Sequence, residues 1–141
     1  MTLPRLSLRL AALAFAGFGV ALLVRPALMD VLGIELSRGA AVTEIRAFYG
    51  GLELGLALFF ALASTRDEWL RPALFAQAAA LGGIVLARLI GMVVDGSAEP
   101  LVLFFLAVEG TGAVLGAVAF RSLHVRSGDA KGPGDAQIHP H

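Results

Sequence analysis

The sequence predicts an all-α integral membrane protein, an antiparallel bundle of four transmembrane helices. Of its 141 residues, 57% are hydrophobic and 16% are charged, and the mean hydropathy is +0.81. A soluble domain is about half apolar and roughly one quarter charged. The apolar residues form four runs of about 20 residues, the length of helix that crosses ~30 Å of hydrocarbon. Short polar segments separate the last three runs, which predicts that successive helices are antiparallel neighbours.

The four predicted spans cover approximately residues 6–24, 45–64, 72–94 and 100–120. Pro72 and Pro100 open the last two spans, because a helix tolerates proline in its first turn. A secretory signal peptide is the alternative for the first span, since Arg5 and Arg9 precede its apolar run. The length of that run, and the absence of a small-x-small cleavage site after it, favour a retained helix.

The membrane domain is therefore predicted to occupy residues 1–121, followed by a cytoplasmic tail at 122–141. The tail is polar and rich in glycine and proline, a composition that predicts disorder. Positive charge predicts the orientation. Seven basic residues fall on the side of the N-terminus and two on the opposite side. An excess of Lys and Arg marks the cytoplasmic side, so both termini are expected in the cytoplasm, with the bundle in a bacterial inner membrane.

Charged residues lie inside three of the predicted spans. Arg46 and Glu53 belong to the second span, Arg88 to the third and Glu109 to the fourth. At 1.5 Å per residue, Glu53, Arg88 and Glu109 lie about 12, 9 and 14 Å below the outer ends of their helices. Charges in hydrocarbon are costly unless they are paired or face a cavity, and they usually mark function. We therefore predict that the four charges converge in the outer half of the bundle.

Helical spacing extends this candidate site. Arg46, Tyr49, Gly50 and Glu53 are separated by three or four residues and share one face of an uninterrupted α-helix. Arg88 shares a face with Asp95, which lies at the outer rim. Glycines accompany these polar stripes and predict close helix packing. The packing positions expected are Gly50, Gly51, Gly55, Gly91, Gly112 and Gly116.

The second span carries a resemblance to a known family. Its run Thr43–Gly55, TEIRAFYGGLELG, resembles the signature of an uncharacterised family of small bacterial four-helix membrane proteins. That family is a domain of unknown function with an acidic-x-Arg-Ala-x-Tyr-Gly-Gly pattern, matched here by Arg46, Tyr49 and Gly50. The resemblance covers about residues 6–121 and implies the fold without an established activity. More distantly, the architecture is similar to the DoxX-like group, whose members are linked to quinone or sulfur redox chemistry.

Two classes of function follow from these observations. In the first, the charged residues line a pocket that binds or processes a small amphiphile, such as a quinone-like or isoprenoid molecule. In the second, the charges form a structural salt-bridge network in an accessory protein that docks on another membrane protein or on a second copy. The loop 25–43 is either a lid over the pocket or a plain connection. Gln77 is expected to form an interhelical hydrogen bond.

Several chemistries are excluded or left without support. The chain has no cysteine, so disulfides and thiolate metal sites are impossible, and no metal site is predicted. Its formal net charge is zero, which argues against nucleic acid as a partner. The lipid bilayer is the expected partner. No residue pattern identifies a cofactor, a catalytic group or a reaction.

Overall fold

A computed structural model of the chain describes residues 2–96 and 98–129, with the side chains of 124–129 excepted. The described residues are helical and contain no strand, which confirms the predicted all-α class. Four helices are long and apolar enough to cross a membrane. They are α1 (Leu3–Val24), α2 (Gly39–Ala63), α3 (Asp67–Asp95) and α4 (Pro100–Asp129).

Local sequence explains where the helices begin and end. α3 begins at Asp67, one turn before the predicted start, so Pro72 lies inside the helix. Asp67 and Glu68 in the first turn favour this earlier start, because carboxylates stabilise the positive end of the helix dipole. The helix ends at Gly96, whose φ of 65° is the left-handed conformation that glycine adopts readily.

The fourth helix begins at Pro100, as predicted, and is longer than the predicted span. It continues to Asp129, so the first residues of the segment predicted to be a tail are helical. The rest of the predicted tail, 130–141, lies outside the described residues. Only the part up to Leu123 has the hydropathy of a membrane span.

The second helix contains a π turn between two α-helical parts. The helix is α-helical over Gly39–Ile45, forms π hydrogen bonds over Arg46–Gly51 and is α-helical again over Leu52–Ala63. The backbone N–H of Leu52 donates to the carbonyl of Ala47, five residues earlier. Such a turn holds one residue more than an α-helical turn, and π turns occur frequently at functional sites.

A short 3₁₀ segment, Pro26–Leu32, joins α1 to the chain that leads into α2. It ends at Gly33, which has a φ of 75°. Pro26 and Met29 are buried against the bundle, whereas Leu28 and Val31 are exposed. The segment is therefore anchored on one side, and the other side presents apolar side chains outward.

The four helices are arranged in a ring in chain order. α1 packs along α2, and α3 packs along α4. α1 also contacts α3 and α4, while α2 contacts α3 only sparsely. α2 and α4 stand at opposite corners, with hardly any contact between their described residues. These two helices are therefore separated from each other, and we call the space between them the crevice between α2 and α4.

The apolar core lies in the half of the bundle that contains the N-terminus, which we call the N-terminal half. This half holds the beginnings of α1 and α3 and the ends of α2 and α4. The buried cluster consists of Leu8, Ala11, Ala12, Phe15, Ala57, Phe60, Ala63, Leu70, Ala73, Leu74, Leu81 and Ala119. The opposite half, which we call the distal half, has few buried apolar residues. There α1 and α2 are held together by close backbone contact at Gly19 and Gly50.

We predict that Gly50→Ala destabilises the bundle, whereas Gly55→Ala has little effect. A Cβ on Gly50 would lie 3.0 Å from both Cα and Cβ of Leu23, so the two helices must separate. Overpacking of this kind costs about 1–3 kcal/mol. A Cβ on Gly55 meets nothing within 4 Å. The measurement is the free energy of unfolding of each variant in mixed detergent micelles, and equal effects of the two substitutions would contradict the packing described.

Candidate functional site

A forked ion pair joins α3 and α4 in the distal half. The Arg88 Nε donates to Glu109 Oε2 at 2.6 Å, and its Nη2 donates to Oε1 at 2.8 Å. The guanidinium carbon of Arg88 lies 5.1 Å from the centroid of the Phe105 ring. The two charged side chains are 27% and 16% exposed. Bidentate pairs of this kind are among the strongest hydrogen-bonded contacts in proteins, and they fix the relative orientation of their helices.

Helix direction explains why these two side chains meet. Side chains on an α-helix tilt toward the N-terminus of that helix. Because α3 and α4 are antiparallel, Arg88 reaches toward the N-terminal half and Glu109 reaches in the opposite direction. The ring of Phe105, one turn before Glu109, packs against the guanidinium. The predicted pairing of charges on these two helices is therefore present in the structure.

Glu53 adds a second carboxylate to this pair from α2. It lies close enough to Glu109 for the two charges to interact. Its Oε2 atom is buried and has no hydrogen-bond partner among the described residues. Tyr49, one turn earlier on α2, interacts electrostatically with Arg88. We call Tyr49, Glu53, Arg88 and Glu109 the outer cluster.

The structure does not bring Arg46 into the outer cluster. Its Nε donates to the carbonyl of Leu23 at 3.1 Å, and it forms no ion pair with another described residue. Leu23 lies in the last turn of α1, where carbonyls lack helical partners and attract cations. The prediction placed Arg46 and Glu53 on one face of a regular α-helix. The π turn inserts one residue between them and rotates Arg46 away by about 100°.

Asp95 also lies apart from the outer cluster. It is exposed at the end of α3 and forms no ion pair with a described residue. Its Oδ2 lies 3.6 Å from the position that a Cβ on Gly91 would occupy, a contact within its own helix. The rim position predicted for Asp95 therefore does not place it with Arg88.

Three of the six glycines predicted to pack make close contacts with another helix. Gly50 meets Leu23, Gly112 meets Leu81, and Gly116 meets Ala78 and the side chain of Gln77. Gly51, Gly55 and Gly91 make no such contact. Gly19 of α1 was not predicted, although a Cβ there would lie 3.0 Å from the carbonyl oxygen of Gly50. The first span contains two candidate packing glycines, Gly17 and Gly19, and nothing in the sequence shows which of them faces α2.

A buried polar contact joins three helices in the N-terminal half. Gln77 Nε2 donates to the hydroxyl oxygen of Ser7 at 3.0 Å and to the carbonyl of Gly112 at 2.9 Å. The side chains of Ser7 and Gln77 are both buried. This confirms the interhelical hydrogen bond predicted for Gln77. Ser7 was missed, although it is a polar residue one turn into the first apolar run.

The loop between α1 and α2 lines an open depression with a volume of about 700 Å³. It is lined by Pro26, Ala27, Asp30, Gly33, Glu35, Leu36, Ser37 and Val42. None of these residues belongs to the outer cluster. Among the described residues, no group of three His, Cys, Asp or Glu side chains could hold a metal ion.

Four apolar helices around a small set of charged side chains are compatible with an integral membrane protein. The chain belongs to the family described as a domain of unknown function, DUF4345, which matches residues 3–120. The family resemblance predicted from the sequence is confirmed at this level. No curated protein and no solved structure matches the chain.

We predict that Arg88→Met destabilises the bundle by about 3–5 kcal/mol, because it leaves Glu109 as an uncompensated buried charge. The double variant Arg88→Met with Glu109→Leu should recover most of this loss, since both charges are then absent. The measurement is again the free energy of unfolding in mixed micelles.

The matched control is Arg5→Met. Arg5 pairs with Asp67 at 2.8 Å near the N-terminal end of the bundle, where the Asp67 side chain is 84% exposed. Exposed pairs contribute about 0–1 kcal/mol, so this variant should resemble the wild type. Equal losses at Arg5 and Arg88 would show that the pair in the distal half has no special role in stability.

Proposed function

We propose that this protein is an integral protein of the bacterial inner membrane and that its outer cluster binds the polar head of a small amphiphile. The observation that carries the proposal is the Glu53 carboxylate. Its Oε2 is buried without a hydrogen-bond partner among the described residues, beside an ion pair that is already complete. A buried polar atom without a partner costs about 1–3 kcal/mol, and such atoms call for an explanation.

A purely structural role explains the Arg88–Glu109 pair but does not explain Glu53. One cation and one carboxylate balance each other, and the fork between them gives each carboxylate oxygen of Glu109 a hydrogen bond. Glu53 is a third charged residue beside this pair. Its burial adds a desolvation cost, and its buried Oε2 forms no hydrogen bond with a described residue. An intramembrane ionisable residue of this kind indicates a functional site.

Helix packing supports access for a ligand from the bilayer. The core lies in the N-terminal half, so the distal half has few buried apolar residues, and α2 hardly contacts α4. An apolar tail fits between these helices while its polar head reaches the outer cluster. The more distant resemblance to DoxX-like proteins suggests a quinone-like or isoprenoid molecule as the type of amphiphile.

A second candidate function is that of an accessory subunit that docks on another membrane protein. One observation favours it. α4 is the least buried of the four helices, and its exposed face carries Phe104, Val108, Val114 and Val118. In that case the outer cluster would serve only to hold α3 and α4 in register.

The proposed topology places both termini in the cytoplasm and the distal half toward the periplasm. Because the chain has no cysteine, single cysteines can be introduced without background. We expect Ala98→Cys, between α3 and α4, to be labelled by an impermeant maleimide in intact cells. Glu68→Cys, at the opposite end of α3, should be labelled only after the inner membrane is opened. Labelling in the reverse order would invert the proposed orientation.

The ligand proposal is tested by retention of small molecules during purification in mild detergent, measured by native mass spectrometry. We expect the wild type to carry a bound amphiphile. The double variant Arg88→Met with Glu109→Leu should fold and carry none, because it lacks the ion pair that holds the outer cluster in place.

The control for this experiment is Arg5→Met with Asp67→Leu, which removes another arginine–carboxylate pair from the opposite end. It should retain the amphiphile. If the outer-cluster double variant retains the same molecule as the wild type, the binding proposal is refuted and the accessory role is favoured.

A further inference from the structure

The hydrogen-bonding state of the outer cluster indicates which kind of headgroup it can accept. Of the two arginines in its vicinity, Arg46 is directed to the Leu23 carbonyl. Arg88 donates through both Nε and Nη2 to Glu109. Two of the five N–H groups of Arg88 are thus engaged by Glu109, and its charge is matched by that carboxylate. The buried polar atom of the outer cluster without a partner among the described residues is an acceptor, Oε2 of Glu53.

Charge balance leads to the same result. The outer cluster contains one guanidinium and two carboxylates, so its ionised form has one negative charge in excess. Inside a bilayer such a charge needs a positive partner or a proton, because the surroundings solvate it poorly. An anionic head would add a further negative charge and would have to displace Glu109 from Arg88.

We infer that the outer cluster binds an amphiphile with a protonated amine as its head, and that Glu53 accepts the hydrogen bond from it. This rests on the proposed function and specifies the ligand class of the same site. The ammonium group donates to Oε2 of Glu53, its charge balances the excess carboxylate, and its alkyl chain lies in the crevice between α2 and α4. Arg88 is a positioning residue: it holds Glu109 in place and does not contact the head.

The structure also explains how the site distinguishes this ligand from a neutral one. An alcohol can donate one hydrogen bond to Glu53, but it leaves the excess charge uncompensated. An ionised Glu53 forms a charge-assisted hydrogen bond with either donor, but only with the ammonium does the Coulomb attraction between opposite charges add to it. An amine should therefore bind more tightly than an alcohol or a carboxylic acid with the same tail.

The test uses three probes of equal chain length, octylamine, octanol and octanoic acid, with the full-length protein in a non-ionic detergent at neutral pH. Isothermal titration, with protein-free micelles as the blank, gives each affinity. We expect octylamine to bind at least about tenfold more tightly than the other two. Glu53→Gln should weaken octylamine binding by about tenfold or more, and Glu44→Gln, an exposed glutamate on the same helix, should leave it unchanged.

The possible failures are distinguishable. If octanoic acid or octanol binds more tightly than octylamine, and Arg88→Met with Glu109→Leu abolishes that binding, the amine inference is overturned while the proposed function stands. If Glu53→Gln binds octylamine as the wild type does, Glu53 is not the acceptor and the inference is likewise overturned. If no probe binds in a way that depends on the outer cluster, both fail. Should Glu53→Gln not fold, the comparison of the three probes on the wild type decides.

Phosphatidylethanolamine also carries an ammonium group and is included as a competitor. Displacement of octylamine by phosphatidylethanolamine, and not by phosphatidylglycerol, would identify a bilayer lipid as the source of the amine. Octylamine binding that neither lipid affects would identify a free amphiphilic amine. Displacement by phosphatidylglycerol alone would contradict an ammonium-binding site.

Discussion

A charged side chain buried among apolar helices needs a counter-charge or a hydrogen-bonding partner, and the Arg88–Glu109 fork is where this constraint governs the structure. The fork ties α3 to α4 in the half of the bundle that has little apolar packing of its own. Phe105 packs against the guanidinium, Tyr49 of α2 interacts with Arg88, and Glu53 of α2 interacts with Glu109. Without the fork, Tyr49 and Glu53 of α2 would have no fixed charged group on α3 or α4 to interact with.

The same fork gives Glu53 its chemical character. Glu109 already neutralises Arg88, so the carboxylate of Glu53 is not needed to balance that charge. Its Oε2 is buried without a hydrogen-bond partner among the described residues. A scaffold built only for stability would gain from an apolar residue at this position, because desolvation offsets much of what a buried charge contributes. The roles that we propose therefore differ between neighbouring residues: Arg88 and Glu109 would hold the geometry, and Glu53 would supply the group that interacts with a ligand.

Hydropathy was sufficient to predict the four helices, the motif in the second span predicted the family, and the depth of the charges predicted that Arg88 lies near a glutamate. The helices and the depths of the charges depend on span length and on position along a regular helix, and both can be counted in the sequence. The direction of Arg46 was not predictable, because the π turn at Arg46–Gly51 interrupts the 3.6-residue period on which the argument relied. Nor could periodicity show that Gly50 packs and Gly51 does not, since this depends on how α2 is rotated against α1.

The unequal distribution of the apolar core has an evolutionary consequence. The residues that hold the bundle together by burial are concentrated at one end, with the Ser7–Gln77 contact among them. Substitutions around the crevice at the other end therefore remove little of the buried surface on which folding depends. Such substitutions can accumulate without stabilising substitutions elsewhere in the bundle. Such an architecture permits the distal half to vary in sequence among members of one family while they keep a common scaffold.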